Sequence, residues 1–528
     1  MRVVTVNRPG LADVKGDTEW STLEQALLAA CPNGWPACLP NRDDLPQDDS
    51  DPDRRVRAGL IRYLMLGGSD EEGGVLPSPQ GVRLIGGWIA GVLDLEGCET
   101  QLDLKLWRCR ISERAVLQDA RIGALYLPGC AAPQGLDLHR LETRRGVHLN
   151  YGFVAGGMVD LAGARIGGEL DCDGGSFKGK PMALDCDNAR IGASVFLRDG
   201  FHAAGMLNFV RAEIAGNLRV QDAILDAGLD MEAARVGHGF FWQNVTGARE
   251  RLDLTEAHVG SLRDEWQSWA GCKTLILDGF RYDRLDGAMT VAQRLAWLGK
   301  ADTARAAKTD AALAPAFEPQ PYLQLANVLR AQGNRDGAAE IMVHREWRQR
   351  QAERRWLWMQ NNSPVGMRRW LFGTLLYPFS WLFGLVAGYG HRPARLLVVA
   401  AVLVIMAAVL AGAAYDAGQF APNSPVILTS TAWQAALAAH AAGGDMPLLI
   451  WLEGPTAADY EQFDRWLYGL DLFLPLDALG QEAAWRPTTG RGGWGDLAFY
   501  SRWFFQGMGW IVTALAAAVL TGLVGRRD

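Results

Sequence analysis

The sequence predicts a mainly β fold, a right-handed parallel β-solenoid with helical caps, followed by a C-terminal α-helical membrane domain. Three observations support this prediction. One short phrase repeats about every 22 residues, each half-repeat holds an apolar-x-apolar triplet, and two long uncharged segments lie near the C-terminus. A fixed repeat of this size is typical of solenoids, in which each turn contacts only its neighbours.

The repeated phrase begins with Ile or Val, usually followed by Gly. Its first residue recurs at intervals of 25, 23, 22 and 23 residues, at Ile166, Ile191, Ile214, Val236 and Val259. Each triplet is a very short strand with two side chains pointing in and one pointing out. Because strands stacked about 4.8 Å apart form a continuous parallel sheet, we expect about nine coils over roughly 40 Å within residues 86–282.

Residues 1–85 precede the repeats and are predicted to form an N-terminal helical cap module. Ser21 and Glu24 have the spacing of a capping box at the start of one helix. A second helix is predicted over residues 52–66 from its apolar face. A solenoid has an open sheet edge at each end that has to be covered, and we expect this module to cover the first edge. A separate binding domain is the alternative.

One outward position of the repeat carries an acidic side chain in nearly every coil. Stacked one per coil, these side chains would form a ladder of Asp137, Asp160, Asp185, Asn208, Asp230 and Asp253. Like charges on neighbouring strands destabilise a sheet, which makes the ladder a candidate interaction face for a cation or a basic partner. The alternative is that the side chains point into solvent and keep the sheet from pairing with others. The glycine-rich calcium-binding repeat is absent.

Residues 283–362 change from strand to helix periodicity and are predicted to form a helical linker. A helix over residues 288–298 is followed by one tetratricopeptide-like helical hairpin, with Tyr322, Leu325 and Leu329 in its first helix. A single hairpin cannot bury its own apolar face. We therefore interpret it as a C-terminal cap and stalk; a peptide-binding groove is the alternative.

A basic juxtamembrane helix ends this linker. Arginine and tryptophan side chains that directly precede apolar sequence favour contact with an anionic membrane surface. The residues expected to make this contact are Arg345, Arg348, Arg354, Arg355, Trp356, Trp358, Arg368 and Arg369. Nucleic acid is the rival partner, but the net charge of -7 argues against it, and no nucleic-acid partner is expected.

Residues 363–528 are predicted to form the membrane domain. Segments 396–414 and 504–525 are uncharged and long enough to span a bilayer. Segment 371–390 is also uncharged, but arginines flank it on both sides, so we predict an interfacial or re-entrant segment. The loop 417–503 contains four Arg, no Lys and nine Asp or Glu, which predicts that it lies outside and that the solenoid and the C-terminus are cytoplasmic.

The eight cysteines all precede the first apolar segment, and several occupy inward strand positions, where Cys acts as a small apolar residue. The first residues lack the apolar core of a signal peptide. Both features favour a reducing cytoplasm and free thiols. Dinucleotide-binding, Walker and nucleophile-elbow motifs and Cys-x-x-Cys pairs are absent. We therefore assign no catalytic residue and expect no cofactor and no metal, while enzymatic activity stays an open question.

Several phrases together resemble a largely uncharacterised bacterial family. They are the repeated Ala-Arg-Ile-Gly-Gly-x-Leu-Asp-Cys unit and segments 317–330, 388–393, 468–471, 479–487, 509–513 and 520–523. Members of this family join a pentapeptide-like or bactofilin-like β-helix to a two-span membrane tail and often carry the label "membrane-associated oxidoreductase". The resemblance implies a protein of the bacterial inner membrane. Gly469 departs from the pattern, in which Ser is expected.

These observations predict a cytoplasmic β-solenoid, anchored in the bacterial inner membrane, that acts as a binding or scaffolding protein. Its expected partners are the lipid bilayer, further copies of the chain in a homo-oligomer, and a protein that the sequence does not identify. Two alternatives stay open. One is an oligomeric two-span channel or envelope sensor, and the other is the membrane-associated oxidoreductase that the family label names.

Overall fold

A parallel β-solenoid of about nine turns occupies residues 82–285. The computed structural model describes residues 10–68, 74–308, 317–359, 384, 388–390, 394–474 and 479–521. The chain divides into two units, Met1–Gln360 and Asn361–Asp528, and the solenoid lies in the first.

Each complete turn contains four short strands, one in each of four parallel columns. Column 1 consists of Arg121–Ile122, Glu142–Thr143, Arg165–Ile166, Arg190–Ile191, Glu213–Ile214, Arg281–Leu285 and the first halves of Arg235–Gln243 and His258–Asp264. Column 2 consists of Val82–Ile85, Leu104–Trp107, Leu125–Tyr126, Val147–His148, Leu170–Asp171, Val195–Leu197, Leu218–Gln221 and the second halves of the same two long strands.

The other two columns form separate sheets of eight and nine strands. Column 3 consists of Arg55–Arg57, Trp88–Ala90, Arg110–Ile111, Ala131–Ala132, Val154–Ala155, Ser176–Phe177, His202–Ala203 and Ile224–Leu225. Column 4 consists of Leu93–Asp94, Ala115–Val116, Leu136–Asp137, Val159–Asp160, Met182–Asp185, Met206–Asn208, Gly228–Asp230, Arg251–Asp253 and Thr274–Ile276.

The triplets point as the repeat predicts. Leu125 and Leu127 are buried while Tyr126 between them is half-buried on the outside. Full burial of one such leucine contributes about 1.5 to 3 kcal/mol, so the stacked coils share a continuous core that no single coil could form. The repeated glycine allows coils to stack closely: a Cβ at Gly192 would lie 2.4 Å from the carbonyl oxygen of Gly167 in the preceding coil.

The described residues of the first unit form seven α-helices. They are α1 Leu11–Lys15, α2 Thr22–Ala30, α3 Ala58–Met65, α4 Trp266–Ala270, α5 Val291–Lys308, α6 Gln320–Ala331 and α7 Arg335–Met359. Two 3-10 turns, Cys31–Asn33 and Pro52–Arg54, also lie in the N-terminal part.

The N-terminal helices share the hydrophobic core of the solenoid. The predicted capping box of α2 is confirmed, because the Ser21 hydroxyl accepts a hydrogen bond from the Glu24 amide while the Glu24 carboxylate accepts one from the Ser21 amide. The helix predicted over residues 52–66 is shorter than expected. Arg55–Arg57 pairs with Trp88–Ala90 as an extra parallel strand, so α3 begins only at Ala58.

Helix α6 covers the last strand of the solenoid, Arg281–Leu285. Side-chain amides of α6 and of its C-cap residue Gln332 donate hydrogen bonds to backbone carbonyls at that end of the sheet: Gln320 to Phe280, Gln324 to Tyr282 and Gln332 to Leu285. An open strand edge would otherwise expose these groups to pairing with another chain. The helix predicted over residues 288–298 is observed as the longer α5, Val291–Lys308.

The second unit contains eight α-helices in its described residues: α8 Ala394–Asp416, α9 Pro425–Leu428, α10 Thr431–Ala441, α11 Pro447–Leu452, α12 Pro455–Ala458, α13 Arg465–Phe473, α14 Gln481–Ala484 and α15 Gly493–Leu520. Phe420–Pro422 and Trp485–Pro487 form an antiparallel pair. Of segment 371–390, predicted to be interfacial or re-entrant, the structure describes only residue 384 and the 3-10 turn Gly388–Gly390.

Among the described helices, α8 alone is long and apolar enough to cross a membrane, judged by length and composition. Its mean hydropathy reaches 2.9, and the predicted span 396–414 lies inside it. The second predicted span, 504–525, lies within α15 as far as Leu520, while residues 522–525 fall outside the described residues. That the second segment crosses a membrane therefore stays a prediction.

Candidate functional site

The six members of the predicted ladder do stack one per coil in column 4. Each residue pairs directly with the next in neighbouring parallel strands, in the order Asp137, Asp160, Asp185, Asn208, Asp230 and Asp253. That these side chains bind a cation or a basic partner stays a prediction.

Each ladder side chain closes the corner that follows its strand. One side-chain oxygen accepts a hydrogen bond from the backbone amide two residues ahead, for example 2.9 Å from Asp160 to the Ala162 amide and 3.0 Å from Asp253 to the Thr255 amide. Asn208 makes the same bond, 3.1 Å long, to the Val210 amide. Asp and Asn are the residues best suited to this local turn, so corner geometry by itself explains why they recur here.

The ladder carboxylates also have partners on the surface. Asp137 pairs with Arg114, and Asp253 pairs with Arg251, both at 2.5 Å. Asp185 accepts a hydrogen bond from the side-chain amide of Asn208. Within the described ranges, no group of three or more His, Cys, Asp or Glu side chains is arranged to hold a metal ion.

The pKa values of Asp185 and Asp253 are shifted in opposite directions. Burial and the neighbouring Asp160 carboxylate raise the pKa of Asp185, although its hydrogen bonds partly oppose them. Burial also acts to raise the pKa of Asp253, but hydrogen bonds from Thr255 and Arg251 outweigh it, and the pKa of this carboxyl is lowered. At Asp185, burial and the facing Asp160 carboxylate therefore disfavour the ionised form.

Two of the predicted membrane-surface arginines contact their own chain. The Arg345 guanidinium is largely buried and pairs with Glu346. The Nε of Arg348 lies 3.8 Å from an Asp302 carboxylate oxygen on α5. These contacts give both side chains a structural role in the helical linker, beside the predicted contact with lipid.

The other predicted membrane-surface residues differ in exposure. Arg355 is exposed on α7, whereas Arg354 and Trp356 are half-buried. Outside the described residues lie the side chain of Trp358 and all of Arg368 and Arg369. Contact of this group with a membrane surface stays a prediction.

Column 2 carries a stack of rings and cations on its outer face that we did not predict. In its first half, the imidazole of His148 stacks on the Tyr126 ring with centroids 4.3 Å apart and planes within 7°. The two ring nitrogens of His148 lie 3.5 Å and 3.6 Å from carboxylate oxygens of Glu169 and Asp171. Burial acts to raise the pKa of Asp171, but the nearby His148 ring and hydrogen bonds from the Asp173 amide and the Asn150 side chain outweigh it, so this pKa is lowered.

In the second half of column 2, aromatic and cationic side chains alternate from coil to coil. Phe196, Arg219, Phe241 and Arg263 are direct neighbours in four consecutive strands. The guanidinium carbons of Arg219 and Arg263 lie 4.5 Å and 5.2 Å from the centre of the Phe241 ring. Arg198 also lies over Phe196, at 4.6 Å. Such stacking holds guanidinium planes in a fixed orientation.

The Nε of Arg219 is buried, and none of the described residues accepts a hydrogen bond from it. The guanidinium of Arg263 lies 4.0 Å from a carboxylate oxygen of Asp286. Arg198, by contrast, is paired with Asp173 at 2.5 Å. Arg219 and Arg263 are therefore paired less closely within the chain than Arg198.

Column 1 forms a charged groove of about 970 Å³ beside this face. Its charged residues alternate imperfectly along the axis, and neighbouring pairs such as Arg165 with Glu142, 2.9 Å apart, neutralise one another. Arg235 is exposed at the far end of the groove. The charge of this column could have been predicted from the sequence, because the residue before the repeated Ile is often Arg.

In the second unit, residues of the phrases 468–471 and 479–487 make hydrogen bonds within the unit itself. Asp471 is buried and accepts hydrogen bonds from the amides of Leu479 and Glu482, at the start of α14. Buried Gln481 accepts another from the Asp464 amide. The phrases 468–471 and 479–487 therefore have a structural explanation.

No protein-family model, curated protein or solved structure matches this chain. The structure itself shows a β-solenoid of about nine turns with a helical C-terminal region.

Proposed function

We propose that this chain is a membrane-anchored binding or scaffolding protein whose recognition surface is the outer face of its solenoid. The observation that carries the proposal is the column 2 stack. It presents Arg219 and Arg263, held rigidly on Phe241 and paired less closely within the chain than Arg198. Aromatic and arginine side chains are enriched in the parts of protein interfaces that contribute most to binding.

Exposed apolar side chains support a membrane anchor in the second unit. Leu397 on α8 is 75% exposed and Trp510 on α15 is 63% exposed. Further exposed apolar residues follow on both helices, among them Val398, Val402, Ile405, Met406, Val409, Trp503, Phe504 and Ile511. So many large apolar side chains facing outward are costly in water and suit contact with lipid.

The finer parts of the proposal follow from general rules. The solenoid is right-handed, because parallel strand crossovers almost always are. Segments 396–414 and 504–525 both span the inner membrane of a bacterium, with the solenoid and the C-terminus in the cytoplasm, as the distribution of arginines indicates. In this the protein is similar to the bacterial β-helix family with a two-span tail.

A homo-oligomer fits this arrangement. Small residues let helices pack closely in a membrane, and the pair Ala408 and Gly412 is already covered by α13. Ala514 on α15 is exposed within the chain, so a second copy is able to pack there. Several solenoids held together would bind a repetitive partner more tightly than one alone.

Labelling of Cys38 tests the topology. Cys38 is exposed, while the other seven cysteines are buried, and burial raises the pKa of Cys31 and Cys272 to about 11. A membrane-impermeant maleimide should label Cys38 only after spheroplasts are lysed. Asp445→Cys, in the predicted outer loop, should be labelled in intact spheroplasts, and Cys38→Ser should abolish the first signal. Labelling of Cys38 in intact spheroplasts would contradict the proposal.

The mass of the detergent-solubilised complex tests the scaffold, with the absorption spectrum taken on the same peak. A defined oligomer without absorbance beyond Trp and Tyr would support the proposal. A monomer with a stoichiometric visible chromophore would contradict it and favour the oxidoreductase alternative.

A further inference from the structure

The second half of column 2 combines three chemical features on one outward strip, in which Arg263 is exposed and Phe196, Arg219 and Phe241 are half-buried. It has two guanidinium groups, Arg219 and Arg263, and two phenyl rings, Phe196 and Phe241, in alternating positions. Beside the stack, the Gln221 side-chain amide donates to that of Gln243, 3.0 Å away. A partner that fits this strip needs anionic groups for the arginines and apolar groups for the rings.

Carboxylates match the donors of these arginines. A guanidinium that lies over a ring keeps N–H groups at its edge, and a planar carboxylate is able to accept two parallel hydrogen bonds from such an edge. A polyanion with one phosphate per nucleotide would require a long basic surface, whereas the neighbouring column 1 is largely neutralised by its own Glu side chains and the chain has a net charge of -7. The strip is therefore better suited to an acidic protein segment.

The spacing of the arginines selects a backbone conformation. Arg219 and Arg263 lie two coils apart, which corresponds to about 9.5 Å along the solenoid axis. In polyproline II, residues three apart lie on the same side and about 9.3 Å apart. In a β-strand, residues on the same side repeat at about 6.8 Å, which does not match.

We propose that this strip binds an acidic protein segment in the polyproline II conformation, with acidic side chains at every third position on Arg219 and Arg263 and apolar side chains against Phe196 and Phe241. The inference rests on the proposed binding function and names the chemistry of the partner.

The probe is a fluorescein-labelled peptide of five Glu-Pro-Pro repeats, with binding to the detergent-solubilised full chain followed by fluorescence anisotropy. A peptide of the same composition with its five Glu at one end is the control for spacing. Arg219→Gln and Arg263→Gln should each weaken binding of the repeating peptide about 10-fold, because each removes charged hydrogen bonds. Phe241→Leu should weaken it about 3-fold through loss of the cation–π contacts.

Arg235→Gln is the matched control for charge. Arg235 lies in the same strand as Phe241 but in column 1, so its loss changes the net charge equally and leaves the strip intact. Binding of the repeating peptide should stay unchanged in this variant. Thermal unfolding and mass, measured on every variant, confirm that each is folded.

Three results would overturn the inference: absence of binding to the wild-type chain, equal binding of the two peptides, or an equal loss in Arg235→Gln. Binding of a 15-nucleotide oligo-dT as tight as that of the repeating peptide, with the same loss in Arg219→Gln, would also overturn it in favour of nucleic acid. The proposed function is judged separately, since Cys38 labelling and oligomer mass do not depend on either arginine.

Discussion

The guanidinium of Arg294 donates two hydrogen bonds, both 2.6 Å long, to the two carboxylate oxygens of Asp264, and both side chains are buried. The indole of Trp269 donates a third bond, of 2.7 Å, to the same carboxylate. This pair joins α5 to the last coils of the solenoid. The C-terminal end of the core is thus fixed by a fully hydrogen-bonded ion pair.

Replacement of Arg294 by Met should strongly destabilise this end of the solenoid. The substitution leaves the buried Asp264 carboxylate without its cation, which costs about 3 to 5 kcal/mol. Thermal unfolding of the detergent-solubilised chain, followed by tryptophan fluorescence, should show a clearly lower Tm. Arg284→Met is the control, because Arg284 pairs with Asp286 on the surface and should contribute less than about 1 kcal/mol. Equal Tm values for the two variants would contradict the argument.

Asp253→Asn should destabilise the solenoid at neutral pH. Hydrogen bonds from Thr255 and Arg251 lower the pKa of Asp253 in the folded state. A lowered folded pKa gives stability that is present above the unfolded pKa and is lost as the pH falls through the folded pKa. At pH 7 the variant should therefore lose about 1 to 2 kcal/mol of unfolding free energy and have a lower Tm than wild type. This difference in Tm should shrink as the pH falls toward 3. A difference that stays constant with pH would refute this.

Asp185→Asn should have the opposite effect. Burial and the Asp160 carboxylate raise the folded pKa of Asp185, so the stability of its protonated form is lost as the pH rises through that pKa. Asparagine accepts the same corner hydrogen bond from the Asp187 amide, as Asn208 does in the next coil. At pH 7 we expect the unfolding free energy to rise by up to about 1 kcal/mol, seen as a higher Tm. At pH 3 we expect the variant and the wild type to have the same Tm. A lower Tm at pH 7 would show that the carboxylate has a stabilising partner or bound cation.

The repeat made the solenoid predictable, because period, triplet and glycine all depend on local sequence. The inward and outward orientation of Leu125 and Tyr126 and the stacking of the ladder follow from that period alone. The ladder's hydrogen bonds were not predictable in the same way. They depend on the backbone amide after each corner, as at Asp160 and Ala162, and therefore on the shape of the turn.

Contacts between distant segments were the part that sequence reasoning missed. Asp264 and Arg294 are 30 residues apart and meet only because α5 folds back onto the last coil. The column 2 stack was missed for another reason. Its outward residues form a mixed series, and the order of Phe196 and Arg219 has meaning only when they are known to be neighbours in adjacent coils.

Gly469 shows how the chain's own packing explains a departure from the expected Ser. A Cβ at this position of α13 would lie 2.8 Å from both the Ala408 amide nitrogen and the Val404 carbonyl oxygen of α8. Gly469→Ala should therefore separate the two helices and lower stability by about 1 to 3 kcal/mol, measured as a lower Tm in detergent. Gly507→Ala on α15 is the control, because a Cβ there meets no atom within 4 Å. If both alanine variants keep the wild-type Tm, α13 does not pack on α8 at this position.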